Sequence, residues 1–159
     1  MFNRIARTAA AVSAVALSTA AVAGGPLQIT SKVLSETKVR AADGSTSPVL
    51  GPVKKVGPGD GVVFVLAYQN TGKQTIGNIV LDNPVPQGIA YRGPSANTPA
   101  PEVSVDGKTY GPLASLNVRT PTGARRAAAP DDVTHVRWRL AAPLTAGAQG
   151  QLAFKAVLK

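Results

Sequence analysis

The chain offers little acid–base chemistry: one histidine, His135, eight carboxylates and no cysteine among 159 residues. A histidine acting as general base needs a nucleophile and an orienting acid within hydrogen-bond reach, and no G-x-S-x-G elbow supplies the first. His135 alternates with Arg137 and Arg139 along an extended segment, so it reads as a solvated side chain on a polar strand face. With no cysteine and a single histidine, the nitrogen and sulfur ligands that zinc prefers are missing, and thiol catalysis is excluded. Oxygen ligands are more numerous: Asp60, Asp82, Asn83, Asp106, Asp131 and Asp132 all fall near strand ends. None lies in a D-x-D-x-D-G calcium loop, and Asp or Asn at such places forms turns by bonding its own backbone. No catalytic, cofactor-binding or metal-ligating residue is expected, and the chain reads as non-enzymatic. A small secreted enzyme or inhibitor, its site gathered from dispersed residues, is the alternative that any fold leaves open.

Charge points to binding instead. The formal net charge is +9, and it is still +7 once Arg4 and Arg7 are removed with the N-terminal segment described below. Arg137, Arg139, Lys155 and Lys159 fall on one predicted strand face, a candidate contact for an anionic envelope polysaccharide, a lipopolysaccharide or another envelope protein. Nucleic acid fits poorly, because the basic residues are spread along the chain with no recognition helix or aromatic stacking platform. Arg125 and Arg126 sit in a polar stretch where a dibasic pair is expected to be solvated.

The first residues set the expected compartment. Arg4 and Arg7 make a positive start, residues 9–20 are apolar apart from Ser and Thr, and Ala21-Val22-Ala23 offers the small residues that signal peptidase reads. The apolar run falls short of the ~20 residues a bilayer span requires, so a signal peptide over residues 1–23 is expected, with no membrane span left after cleavage. The mature protein is expected in the periplasm or outside the cell, as one domain over residues 24–159. A domain of that length buries roughly two-thirds of the surface of its unfolded chain, and without disulfides its stability must come from core and ladders.

Short strands and turns organise that domain. Leu27, Ile29, Val33 and Val39 alternate with Gln28, Thr30, Lys32, Lys38 and Arg40 over a long N-terminal strand, and residues 41–55 read as a loop with at most a brief strand at Val49-Leu50. Pro58-Gly59-Asp60 leads into a strand of residues 62–68 that is apolar on both faces, and Asn70-Thr71-Gly72 stops it. Residues 76–81 form the next strand, ended by Asp82-Asn83-Pro84-Val85-Pro86, and a short strand follows from Ile89. This order of a PGD turn, a strand closed by NTG, a strand closed by DNPVP and a short GIAY strand resembles the conserved-repeat family called domain of unknown function eleven. The resemblance implies an immunoglobulin-like antiparallel β-sandwich, here of about seven to nine short strands, in a secreted or surface protein of bacteria or archaea. It also implies a structural or adhesive role and brings no catalytic residue. In that family the domain is commonly repeated along surface chains; a single copy with no anchor is expected here, which must either bind a partner or assemble.

Further along, Val103 and Val105 lead into an Asp106-Gly107 turn, with residues 108–110 as the return limb. Residues 113–118 read as a strand and residues 120–132 as a long polar loop. Val136, Trp138 and Leu140 share a face, as do Leu152, Phe154, Ala156 and Leu158, and the two segments are expected to form a hairpin pairing Trp138 with Phe154, Leu140 with Leu152 and Arg137 with Lys155. Trp138 is then a core side chain and not a carbohydrate platform. The strand Leu27–Arg40 is the alternative functional element, as a segment donated to a neighbouring sheet in a fibre or surface assembly, although Lys32, Lys38 and Arg40 also suit a protected edge.

Overall fold

A strand apolar on both faces has to lie inside a sheet and under a second layer, and the segment holding Val62 to Ala67 does so. The computed structural model describes residues 25–53 and 55–159, and the expected signal peptide lies outside them. In chain order the strands are β1 (Leu27–Arg40), β2 (Thr46–Pro52), β3 (Gly61–Asn70), β4 (Val80–Pro84), β5 (Ile89–Pro94), β6 (Glu102–Ser104), β7 (Asn117–Arg119), β8 (Arg125–Ala127), β9 (His135–Arg139) and β10 (Gln149–Leu158). They form a five-stranded sheet in the order β2-β1-β3-β10-β5, a three-stranded sheet β4-β9-β6 and a separate β7-β8 hairpin, all antiparallel. The two main sheets face each other across one core, which makes the domain an all-β sandwich. Among the described residues, no helix is long and apolar enough to cross a membrane.

The core is built from the strand faces that alternation predicts. Val62, Phe64 and Leu66 of β3 and Leu152, Phe154 and Ala156 of β10 point inward from the large sheet, meeting Leu81 of β4, Val103 of β6 and Val136 and Trp138 of β9. Phe64 and Phe154 stack with centroids 4.8 Å apart and planes nearly parallel, while Trp138 and Tyr91 sit tilted to Phe154 at 6.3 and 5.9 Å. On the outer face of β3, Val63 is only 1% exposed. Its register partners are Leu34 and Lys155, and a Lys155–Glu36 ion pair of 3.3 Å spans the same stretch of the sheet.

Asn70 explains why β3 stops where it does. Its fully buried side chain donates to the carbonyls of Gln74 (2.7 Å) and Leu144 (2.9 Å) and accepts from the Gly72 amide (2.9 Å). Three bonds from one amide bind the turn to a loop 74 residues away. A second constraint sits across from Tyr68, whose register partner is Gly150. A Cβ there would lie 2.3 Å from the tyrosine hydroxyl oxygen, so only glycine lets the ring lie against β10.

Several expectations are corrected. The C-terminal hairpin does not exist: β9 pairs on its two sides with β4 and β6, whereas β10 pairs with β3 and β5. Trp138 meets Phe154 across the sandwich, not across a ladder, because alternation that matches two inward faces serves facing sheets as well as neighbouring strands. Arg137 lies opposite Asp82 and Glu102 rather than Lys155. The loop expected over residues 41–55 holds β2, paired along Leu34–Arg40. The second signature strand starts later than Ile76, which makes only an isolated bridge to Leu144. Residues 113–118 divide into a 3-10 turn, Leu113–Ser115, and the start of β7, and the polar loop of residues 120–132 contains β8 and a second 3-10 turn, Pro130–Asp132. The limb after Asp106-Gly107 returns only as a bridge from Gly111 to Val103. The described residues hold ten strands, against about seven to nine expected, and the all-β sandwich architecture stands.

The position of β1 bears on strand donation. Residues Leu27–Ser35 pair with β3 and Leu34–Arg40 with β2, so β1 is an inner strand of its sheet. Of the four edge strands of the two main sheets, three carry proline: Pro48 and Pro52 in β2, Pro84 in β4 and Pro94 in β5, β6 being the exception. Proline has no N–H to offer another strand and blunts an edge against addition.

Two truncations test this architecture by urea denaturation. Trp138→Ala should destabilise the domain by about 3–5 kcal/mol through the cavity it leaves between the sheets. Asn70→Ala should cost about 1–3 kcal/mol, because buried carbonyls lose their donor. An unchanged midpoint for Trp138→Ala would contradict the core described.

Candidate functional site

Strand alternation sends His135, Arg137 and Arg139 to the outer face of the three-stranded sheet, and the register sets Asp82 and Glu102 on either side of Arg137. The Arg137 guanidinium donates to Asp82 Oδ2 from Nε (3.0 Å) and Nη2 (2.7 Å). Its carbon lies 3.3 Å from the centre of the Tyr110 ring, and the Tyr110 hydroxyl donates to the same Asp82 oxygen at 2.7 Å. Asp82 therefore joins arginine and tyrosine into one layer over the sheet. The hydrogen bond to Asp82 raises the pKa of Arg137 further above its ordinary value. Desolvation, followed by the bond to Asp82, raises that of Tyr110. Arg139 Nε faces Glu102 Oε2 at 3.4 Å, a charge contact without hydrogen-bond geometry.

His135 completes this layer. Its ring meets Tyr110 edge-on at 6.4 Å, and its Nδ1 lies 3.0 Å from Thr134 Oγ1. The threonine hydroxyl also lies 3.2 Å from the Ser104 carbonyl, to which it can donate, and the direction of the Thr134–His135 bond follows the histidine tautomer. The Asp106-Gly107 turn closes over the histidine: Gly107 has φ of +72°, and a Cβ there would approach His135 Cε1 to 3.1 Å. Asp106 holds the turn by accepting from the Thr109 and Lys108 amides and the Ser104 hydroxyl, which keeps its carboxyl far below the usual range.

The structure separates the four residues of the expected basic face. Arg137 and Arg139 lie on the small sheet, paired with Asp82 and Glu102; Lys155 lies on the large sheet, paired with Glu36; and Lys159 Nζ donates to the Asp131 carbonyl at 3.0 Å. The separation follows from the missing hairpin, since the expected face required β9 and β10 to be neighbours.

All eight carboxylates are engaged within the chain. Glu36, Asp82, Glu102, Asp131 and Asp132 pair with Lys155, Arg137, Arg139, Arg92 and Arg126. Asp43, Asp60 and Asp106 accept hydrogen bonds from their own turns. Among the described residues, no group of three or more histidine, cysteine or acidic side chains gathers as a metal site would require. Lys32, Lys38, Arg40, Lys73, Lys108, Arg119 and Arg125 have no carboxylate within ion-pair distance among the described residues. Arg125 and Arg126 part company here. Arg126 reaches Asp132 through both terminal nitrogens (2.6 and 2.8 Å), whereas Arg125 stands opposite Arg119 across the β7-β8 ladder. The sequence carried a signal for this hairpin in the five residues Thr120-Pro121-Thr122-Gly123-Ala124, a length and composition suited to a hairpin loop.

No family profile, curated protein or solved structure matches the chain.

The Arg126–Asp132 pair gives a pH dependence. The hydrogen bond from Arg126, helped by the Ala129 amide, holds the Asp132 carboxyl down to about 2, against an unfolded value of about 3.9. A carboxyl lowered by folding stabilises fully above its unfolded value and loses that contribution as pH falls toward the folded one. Asp132→Asn should flatten the fall of the thermal midpoint between about pH 4 and about pH 2; a variant as acid-sensitive as the parent would deny the pair this role.

Proposed function

We propose that the protein is an exported, non-catalytic β-sandwich module that adheres to an anionic component of the cell envelope. One observation carries the reading: every carboxylate is consumed by an internal pair or turn, so the positive surplus sits on side chains with no acid beside them. Among the described residues these include Lys32, Lys38 and Arg40 on β1, Lys55, Lys73 and Lys108 outside the strands, and Arg119 and Arg125 on the β7-β8 hairpin. The fixed layer of Arg137, Asp82 and Tyr110 is internally neutralised and serves the fold. Export rests on the composition of residues 1–23, and the envelope setting on the resemblance of residues 56–91.

Adhesion through exposed charge weakens with salt, because such charges are screened beyond ~8 Å at physiological ionic strength. The protein should be retained on immobilised lipopolysaccharide or polygalacturonate at low salt and released at high salt; passage through both at low salt would refute the reading. Arg137→Gln should leave retention unchanged while lowering stability by about 1 kcal/mol, the scale of an exposed ion pair with a cation–π contact.

A further inference from the structure

We propose that Arg119 and Arg125 form a binding site for a phosphate monoester, a proposal that rests on the anionic-partner reading above and gives that partner its chemistry. The two residues are direct register partners in the β7-β8 ladder, so their side chains rise from the same face with Cβ atoms about 4.5–5.5 Å apart. Both are exposed. Like charges directly opposite destabilise a ladder, and Arg92, Arg126, Arg137 and Arg139 each have a carboxylate partner. Here two arginines converge with none.

The hairpin beneath them is held firmly. Arg126 projects from the opposite face and grips Asp132 through both terminal nitrogens, Asp132 also accepts from the Ala129 amide at 2.7 Å, and the Ala128 amide donates to the Leu116 carbonyl at 2.9 Å. Leu116 is buried, and Ala128 packs against the core. The loop is closed by the Thr120 amide on the Ala124 carbonyl at 2.8 Å. Arg119 and Arg125 are therefore presented as a pair by a braced ribbon and not by a mobile tip.

The stoichiometry of charge and donors selects the ligand. A carboxylate carries one charge and two oxygens, which a single bidentate guanidinium satisfies. A phosphate monoester carries ≈ −1.5 to −2 near neutral pH and three terminal oxygens, enough to occupy two guanidinium forks and cancel their repulsion.

Two double variants that remove equal charge test the site: Arg119→Gln with Arg125→Gln, and Lys38→Gln with Arg40→Gln on β1. Binding is measured at low salt to dextran phosphate and to carboxymethyl dextran of matched charge density, with circular dichroism to confirm folding. The parent should prefer dextran phosphate by about tenfold or more, and the arginine variant should lose that preference while its thermal midpoint holds or rises. The lysine–arginine variant should weaken both polymers alike and keep the preference. Inorganic phosphate at matched ionic strength should displace dextran phosphate; an affinity for the free ion equal to that for the polymer would assign the free ion as the ligand. No phosphate preference in the parent, or its equal loss in both variants, overturns the site while leaving polyanion adhesion intact. Binding to neither polymer by the parent would bring down the adhesion reading itself.

Discussion

Burial of the inward face of β3, the middle strand of the large sheet, is the constraint on which the rest of the sandwich depends. Its inward side chains stack through Phe64 on Phe154 and through Leu66 beside Leu152, and its outward Val63 is sealed between Leu34 and Lys155. A strand at the centre of a sheet satisfies its backbone through a partner on each side, and β1 and β10 fill both places. The second sheet then has one apolar surface to cover, and Leu81, Val103, Val136 and Trp138 cover it. The turn chemistry is subordinate to this arrangement. Asn70, at the end of β3, ties the strand to the loop before β10, so the terminus of the central strand is also a staple between distant segments.

Electrostatics is organised around scarcity of acid. With eight carboxylates against seventeen lysines and arginines, each acid is placed where it can do structural work: Asp82 under a stacked arginine and tyrosine, Asp132 behind the β7-β8 hairpin, Glu36 across the outer face of β3. Isolated exposed pairs contribute little. Asp82 and Asp132 differ because each accepts more than one hydrogen bond, and Asp82 also joins elements distant in sequence. What remains unbalanced is a matter of position, and position depends on sheet topology.

That dependence marks how far the sequence could be read. Alternation identified β1 to its last residue, the two-sided apolarity of β3, and the inward faces of Trp138 and Phe154, because each follows from side-chain period within one strand. It could not say which strand lies beside which. Trp138 and Phe154 do meet, but face matching alone does not distinguish a ladder partner from a neighbour in the opposite sheet, and the basic face of Arg137, Arg139, Lys155 and Lys159 was lost with that distinction. The strand β8, and β2 beyond the brief Val49-Leu50 stretch, were missed for another reason. Thr46–Pro52 and Arg125–Ala127 are almost wholly exposed, so they carry no apolar period, and ladder pairing alone makes them strands.

The placement of β1 and β10 on either side of β3 also fixes how the domain meets a pulling force. Both run antiparallel to β3 and so parallel to each other; the chain enters the sheet at Leu27, beside Asn70, and the last strand finishes near Gly61, at the other end. Tension applied through the two ends would slide β1 and β10 in opposite directions along the central strand. Each is joined to it by nine paired residues, and sliding strains those bonds together, whereas peeling would break them one at a time. The Phe64–Phe154 stack lies on one of the two surfaces that would have to slip. The same topology that buries the core therefore sets tension along the long axis of the large sheet against both ladders of β3 in shear.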